Sequence, residues 1–384
     1  MRIAIAHDYI TQRGGAERVV LSLARGFPGA PIYTSVYHPD GTYPEFAGHD
    51  IRVSPLQRVA AFRRDPRLAL PLLASVWRGI VVRDVDAVLV SSSGWAHGVS
   101  VPDGVPKVVY CHNPARWLYQ SDEYAVGLAQ AALIRVLRRP LVRWDRTGAR
   151  SAQLYLANSA NVAARIARAY GIGARVLHPP VTIDVTAPQR PVPALADGPF
   201  WVTVNRGRAY KNVREVVAGV LRRPGDRVAV VGAPDPHLLD GVPAADRHRV
   251  RVLGVVGDAE LRWLYANARG LISVGHEDFG LTPLEANAFG TPVLALRAGG
   301  FLETVVENVS GVFVDEPCGD QIAPALDRLA GLRPERIRRH AATFSQDVFV
   351  ARVRAELARV LGRLDLDVFE PPAAREPVGI RGIR

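Results

Sequence analysis

Apolar residues along this chain fall into short β-branched runs that alternate with longer stretches of helical spacing. Runs at 2–6, 51–53, 86–90, 106–110 and 153–157 read as strands, and 15–26, 66–82, 128–150 and 159–170 read as helices. Apolar strands separated by helices predict βαβ units and a parallel sheet covered on both faces. The stretch Thr186-Ala187-Pro188-Gln189-Arg190-Pro191-Val192-Pro193 has no periodicity and is rich in proline, so it reads as a linker. A second series follows, with strands expected at 200–204, 227–231, 250–253, 270–274, 292–296 and 311–314. Its helices are expected at 212–221, 258–268, 282–289 and 319–330. Val348, Val350, Val353, Leu357, Val360 and Leu361 recur at helical spacing and predict a terminal helix over 346–364. From Pro371 the tail is polar and proline-containing, and disorder is expected there.

The fold class that follows is α/β, with two Rossmann-like, doubly wound domains at 1–185 and 200–345. A linker at 186–199 joins them, and a helix at 346–365 and a tail at 366–384 follow. Ligands in such sheets bind beyond the carboxyl ends of the strands, so both domains are expected to face an interdomain cleft. A length of 384 residues exceeds one ordinary core and agrees with two domains.

Only Cys111 and Cys318 occur, too few for a disulfide framework or a zinc site, which points to a reducing cytosol. Met1-Arg2-Ile3-Ala4-Ile5-Ala6 reads as a core strand rather than a signal peptide. No apolar stretch reaches the ~18 residues of a membrane span. The net charge of +11 is uneven: residues 1–198 hold 23 Lys/Arg against 14 Asp/Glu, and residues 199–384 hold 25 against 23. Segment 52–83 carries seven Arg and one Asp, and segment 135–150 carries six Arg and one Asp. One reading is a solvated arginine-rich surface. The other is a docking face on the N-terminal domain for anionic lipid headgroups or a diphosphate-bearing acceptor, peripheral at the inner face of the membrane. Nucleic acid is not an expected partner, because no aromatic-interleaved basic motif accompanies the charge.

The most informative chemistry lies in His276-Glu277-Asp278-Phe279-Gly280-Leu281-Thr282-Pro283-Leu284-Glu285. A buried strand, a glycine turn and a helix start together aim backbone N–H groups at an anion. Carboxylates at its two ends can grip hydroxyls, and a ligand with both phosphates and hydroxyls is a nucleotide sugar. Glu285 has a competing reading as the third residue of a capping box with Thr282 as N-cap and Pro283 at the first helical position. Glu277 competes only with a solvated loop carboxylate. A second constellation, Asn205-Arg206-Gly207-Arg208-Ala209-Tyr210-Lys211-Asn212, follows a strand and opens a helix. With 46 Arg and two Lys in the chain, Lys211 departs from the prevailing choice, and a compact ammonium suits a phosphate oxygen. Gly14-Gly15, between the first strand and helix, allows close backbone approach to a sugar or phosphate. His112, after another strand, faces the expected cleft and has no evident serine or cysteine partner apart from Cys111. Asp84-Val85-Asp86 and Asp365-Leu366-Asp367 match only a minimal DxD pattern, so no metal site is expected, and no nucleophile elbow or P-loop occurs.

Together these stretches resemble the family-4 retaining glycosyltransferases of GT-B fold over nearly the whole chain. Glu277 with Glu285 is similar to the family's E-x7-E motif, Arg206 with Lys211 to its diphosphate-binding pair, and Gly14-Gly15 to its N-terminal glycine loop. Asn158-Ser159 with His178-Pro179-Pro180-Val181 is similar to the segment before its crossover, with Thr182 where an Asp is usual. Tyr110-Cys111-His112-Asn113-Pro114-Ala115-Arg116-Trp117 resembles a Y-C-H-T-P-x-R stretch of mannosyltransferases in polysaccharide assembly, with Asn113 where Thr is typical.

The resemblance implies an acceptor-binding N-terminal domain, a nucleotide-sugar-binding C-terminal domain and a last helix that crosses back. It implies Glu277, His112, Arg206 and Lys211 as the catalytic set, with His112 near the donor sugar and Glu277 on its hydroxyls. Glu285 then holds the ribose, and the backbone at Phe279, Gly280 and Leu281 meets phosphates and sugar. Gly14, Gly15, Gly232, Leu253 and Gly254 complete the donor set, the last two at the base. The expected reaction moves a hexose, mannose-type favoured, from a nucleoside diphosphate sugar to a hydroxyl of a glycan, glycolipid or small molecule. GDP-mannose is the favoured donor over UDP- or dTDP-sugars, configuration is retained, and no metal or other cofactor is required. The rivals are a GT-B sugar-nucleotide epimerase, a pyridoxal-phosphate phosphorylase using Lys107 or Lys211, and a non-enzymatic basic protein binding membrane or nucleic acid.

Overall fold

The computed structural model describes residues 1–120, 128–206, 211–233 and 237–362, without the side chains of 71, 128–135 and 206. By contacts the chain divides into two compact units, Met1–Leu156 with Gln346–Arg384, and Ala157–Ser345. The first series runs β1 (Ile3–His7), α1 (Gly15–Gly26), β2 (Ile32–Thr34), β3 (Ile51–Val53), α2 (Ala60–Arg64), α3 (Leu70–Gly79) and β4 (Ala87–Ser92). It continues through β5 (Lys107–Cys111), α4 (Arg116–Tyr119), α5 (Leu128–Arg150), β6 (Leu154–Ala157), α6 (Ala160–Tyr170) and β7 (Arg175–Val176). The second comprises β8 (Trp201–Arg206), α7 (Val213–Leu221), β9 (Val228–Ala233), β10 (Val250–Gly254), α8 (Asp258–Asn267) and β11 (Gly270–Ser273). After these come α9 (Leu281–Ala288), β12 (Val293–Leu296), α10 (Phe301–Thr304), β13 (Gly311–Val314), α11 (Gly319–Leu329), α12 (Pro334–Ala342) and α13 (Gln346–Val360).

The first sheet has the order β3-β2-β1-β4-β5-β6-β7 and the second β10-β9-β8-β11-β12-β13. Every described pairing of named strands is parallel. Parallel strands buried on both faces need continuous apolar sequence, and β1, β4, β12 and β13 are buried at every position. In each sheet the strand order reverses beside the first strand of its series, between β1 and β4 and between β8 and β11. Loops leaving those strands in opposite directions open a crevice at their carboxyl ends, the usual place for a ligand.

The contact boundary falls at Leu156, upstream of residue 185 where the expected N-terminal domain ends. Residues 157–185 gather with the second unit because Arg165 pairs with Asp278 and Glu303 reaches both Ala160 and His178. The proline-rich run lies along α8, where Arg190 N donates to Ala259 O at 3.0 Å and Arg262 Nε to Pro188 O at 3.0 Å. The last helix groups with the first unit, where Gly26 admits Val350 and Arg354 donates to Gly26 O at 2.5 Å. Its buried seam is Phe349, Val353 and Leu357 at i, i+4 and i+8, rather than the valine-led set that its sequence suggested. The expected tail from 366 lies outside the described residues. Among those described, no helix is long and apolar enough to cross a membrane.

Lys107 on β5 is 2% exposed, and its ammonium donates to the carbonyls of His97 (2.6 Å) and Val99 (3.3 Å). Burial pushes its pKa down from 10.5 to about 8. Between those values the unfolded chain holds the proton and the folded protein does not, so folding stability gains from this group as pH rises from 8 to 10.5. The gain is on the order of 3 kcal/mol. Denaturant titrations across that window are expected to show a rise in the wild type that Lys107→Met lacks, and parallel curves would refute it.

Candidate active site

The second unit's switch point collects the residues that the sequence singled out. β8 ends in Asn205 and Arg206, and its continuation brings Lys211 to the start of α7. β11 ends at Ser273, and the loop that follows carries Glu277. Because β8 and β11 are neighbours, the two loops meet, and Lys211 Nζ forms an ion pair with Glu277 Oε1. The side chains are 13% and 20% exposed, so each charge is substantially removed from water and neutralised by the other. Asn212, in the left-handed region at φ 52°, donates from Nδ2 to Val274 O at 2.8 Å and ties the two loops together. Arg206 pairs through its backbone with Ala233, and its side chain and residues 207–210 lie outside the described part.

The backbone around Glu277 is held by a turn that sequence reading passed over, Gly299-Gly300 after β12. Gly300 N donates to Glu277 O at 2.9 Å. A Cβ on Gly300 would fall 2.2 Å from Phe279 Cα, and one on Gly299 would fall 2.5 Å from Glu277 O. The signal was a glycine pair two residues beyond an apolar strand, which here marks a close approach of two backbones.

Gly280 sits at φ 91° as the N-cap of α9, and Leu281 is the first helical residue. This corrects the capping-box reading: Thr282 lies one residue inside the helix, Gly280 supplies no side-chain cap, and Glu285 reaches Tyr265. The Tyr265 hydroxyl donates to Glu285 Oε2 at 3.1 Å. The first turn of α9 therefore presents main-chain N–H groups at the switch point without a capping side chain, an arrangement that favours an oxyanion. Gly232 is fixed by the backbone alone, at φ 108° with a hypothetical Cβ 1.6 Å from Asn205 O. Leu253 is half-buried, and Gly254 at φ 67° follows a register shift between β9 and β10.

Gly14, Gly15 and His112 belong to the first unit. Gly14 is the N-cap of α1, and a Cβ there would lie 2.4 Å from Glu17 Oε2; Gly15 is the first helical residue. His112 follows β5 and places Nε2 2.8 Å from Ser91 Oγ. His7 Nδ1 lies 3.1 Å from the same oxygen and 3.0 Å from Ser91 O. His112 thus has a serine partner, which sequence reading missed because Ser91 and Tyr110 are register neighbours on β4 and β5, far apart along the chain. Burial, then the adjacent His7, drive the His112 pKa down to about 3, so its ring stays neutral at physiological pH. Cys111 is buried and its thiol is pushed well up by burial, which disarms it as a nucleophile.

Asp8, also unassigned by the sequence, is 2% exposed and accepts backbone N–H from Ser93, Trp95 (2.8 Å) and Ala96 (2.6 Å). It fixes the loop after β4 against the end of β1. An acid directly after an apolar strand was the available signal.

Residues 13–185 match the family model described as Glycosyltransferase Family 4, and residues 190–343 that described as Glycosyl transferases group 1. The D-inositol 3-phosphate glycosyltransferase of Mycobacterium marinum is 33% identical over 230 residues, covering 53% of this chain and 49% of that protein. The chain thus spans about half the length of such a relative. The sucrose-phosphate synthase of Thermosynechococcus elongatus is similar in structure at a TM-score of 0.66 and 17% identity, over 94% of this chain and 100% of that one. Anabaena HepE in complex with UDP-glucose gives a TM-score of 0.65 at 17% identity with the same coverage. At such identities the two structures speak for the fold alone.

Proposed function

The chain belongs to the family-4 glycosyltransferases of GT-B fold, and from that membership we propose that it transfers a hexosyl group from a nucleoside diphosphate sugar to a hydroxyl acceptor with retained configuration. The observation that carries this reading is the Lys211–Glu277 pair at the second unit's switch point, beside the uncapped first turn of α9. Cation and helix N-terminus suit the diphosphate, and the carboxylate suits sugar hydroxyls. As the bond from the sugar's C1 to the leaving oxygen breaks, negative charge grows on the β-phosphate. Lys211, Arg206 and the N–H groups of α9 stabilise that charge most in the transition state. The acceptor oxygen bonds to C1, and its proton passes to the departing phosphate, so no protein nucleophile is needed. His112, in the first unit, is held neutral by burial and is therefore not assigned the part of an acid.

The 110–117 stretch favours GDP-mannose, whereas a similar fold is described with UDP-glucose. The relatives' name points to a phosphorylated polyol as acceptor class, and the basic segments 52–83 and 135–150 suit an anionic acceptor or peripheral contact with an anionic membrane. A thermal-shift series with GDP-, UDP-, dTDP- and ADP-sugars separates the donors. At a hundredfold excess over Kd the cognate donor adds about 2.7 kcal/mol of stability, and no shift with any of the four refutes the reading. Cations supplied by the chain make the diphosphate site independent of metal. Transfer is expected to persist after exhaustive EDTA treatment, and abolition reversed by added Mg2+ would overturn that part.

A further inference from the structure

The second unit holds a cluster that the reaction above does not use. Glu303 on α10 reaches the start of α6, with both carboxylate oxygens 2.9 Å from Ala160 N and Oε2 2.8 Å from His178 Nε2. His178 lies over Phe279, ring centroids 5.2 Å apart and planes 26° apart, and Phe344 closes on both rings at 5.6 and 6.1 Å. From α6 itself, Arg165 pairs with Asp278 at 2.5 Å. The two residues directly after Glu277 are therefore each gripped by the 160–178 segment.

A ring stacked on a phenyl group alone can rotate in its plane. Its Nε2 bonded to a carboxylate cannot, and that carboxylate is itself anchored to a helix terminus. Phe279 is buried, and the next residue is Gly280, where Phe301 fills the space that a side chain would need. On the other side the Gly299-Gly300 turn presses on the backbone of residues 277–279. The orientation of Glu277 and the start of α9 thus depends on where Phe279 sits, and Phe279 is seated by His178.

We propose that Glu303 is a positioning residue of the donor loop, acting through His178 and Phe279 to set how Glu277 and the first turn of α9 face a nucleotide sugar. This rests on the nucleotide-sugar reading of that loop. Glu303→Ala, Glu303→Gln, His178→Ala, His178→Phe and the double variant Glu303→Ala/His178→Phe test it. In Glu303→Ala, amide exchange over residues 277–281 is expected to speed up by about tenfold or more through local opening. The value of kcat for transfer falls about 10- to 100-fold, as misplacement by an ångström would cause. GDP or UDP affinity is expected to fall by less than kcat, within about tenfold, since Lys211 stays in place while the first turn of α9 loosens.

His178→Ala should reproduce this loss. His178→Phe keeps the ring but loses the Nε2 bond that fixes it, so it is expected to share the loss. The double variant is expected to be no worse than Glu303→Ala alone, because both changes break one link. Should Glu303→Ala fold poorly, Glu303→Gln, which still accepts from Ala160 N, is expected to lie between it and the wild type. If exchange quickens only along α6 while 277–281 and kcat stay as in the wild type, Glu303 is a helix cap and the proposal falls. If no nucleotide sugar supports transfer by the wild type, the functional reading fails instead, and the exchange measurement still decides the role of Glu303.

Discussion

Glu277→Ala is expected to lower kcat for hexosyl transfer by about 10³-fold or more, the scale seen when a charge-positioning group is lost from a catalytic site. Nucleotide affinity should hold or improve. The pair geometry gives the reason: Lys211 and Glu277 neutralise each other in a half-buried setting, and removing one partner leaves the other charge uncompensated. With the carboxylate gone, the ammonium's best remaining counter-charge is a diphosphate, so GDP or UDP should bind at least as tightly. With Lys211→Ala the asymmetry reverses, and nucleotide affinity falls because Glu277 then repels the phosphates. Glu277→Gln keeps the shape and loses the charge, placing it between wild type and Glu277→Ala in kcat. Calorimetry with nucleotide beside steady-state kinetics separates these outcomes. Transfer by Glu277→Ala within tenfold of the wild type, a ΔΔG‡ under about 1.4 kcal/mol, would sink the assignment.

Gly232→Ala is expected to be the most destabilising single substitution among the glycines assigned to the donor set. Its Cβ would lie 1.6 Å from Asn205 O, on a residue at φ 108° that faces Asn205 across the parallel pair of β8 and β9. No side-chain adjustment relieves a clash with a backbone oxygen, so β8 and β9 must part at their carboxyl ends. The loss should exceed about 3 kcal/mol, read as a fall of many degrees in Tm or as failure to accumulate folded protein. Gly254→Ala is the control, because at φ 67° it meets no atom within 4 Å. Left-handed strain alone costs on the order of 1–2 kcal/mol. Equal effects at the two positions would show that the clash is not what matters.

How far the sequence carried differs between the fold and the site. Strands such as β4 and β12 were legible because a buried parallel strand requires an unbroken apolar run. β2 and β7, three and two residues long, were missed, whereas β3, also of three residues, was read; at that length periodicity does not decide. Glu277 and Lys211 were each visible as a residue out of keeping with its surroundings, but their pairing depends on β8 lying beside β11, which no local pattern encodes. Glu285 looked like a helix cap because Thr-Pro-x-Glu fits a helix start. Phe301 and the Gly299-Gly300 turn instead pack against the Phe279-Gly280 segment, and the helix begins at Leu281. The same applies to Ser91 and His112, partners across two strands, and to Asp8, whose value lies in three N–H groups more than eighty residues away.

The arrangement of the two lysines makes the protein unusually easy to address chemically. Lys107 is sealed against carbonyls in the core of the first sheet, whereas Lys211 sits at a loop with part of its surface open. An acylating or carbamylating reagent applied to the folded protein therefore has one side-chain amine within reach, and it belongs to the candidate diphosphate site. Labelling at that amine, read by mass spectrometry after digestion, becomes a direct occupancy meter for nucleotide. Unfolding unmasks the second amine, so the ratio of the two labels reports folding and binding from one reaction.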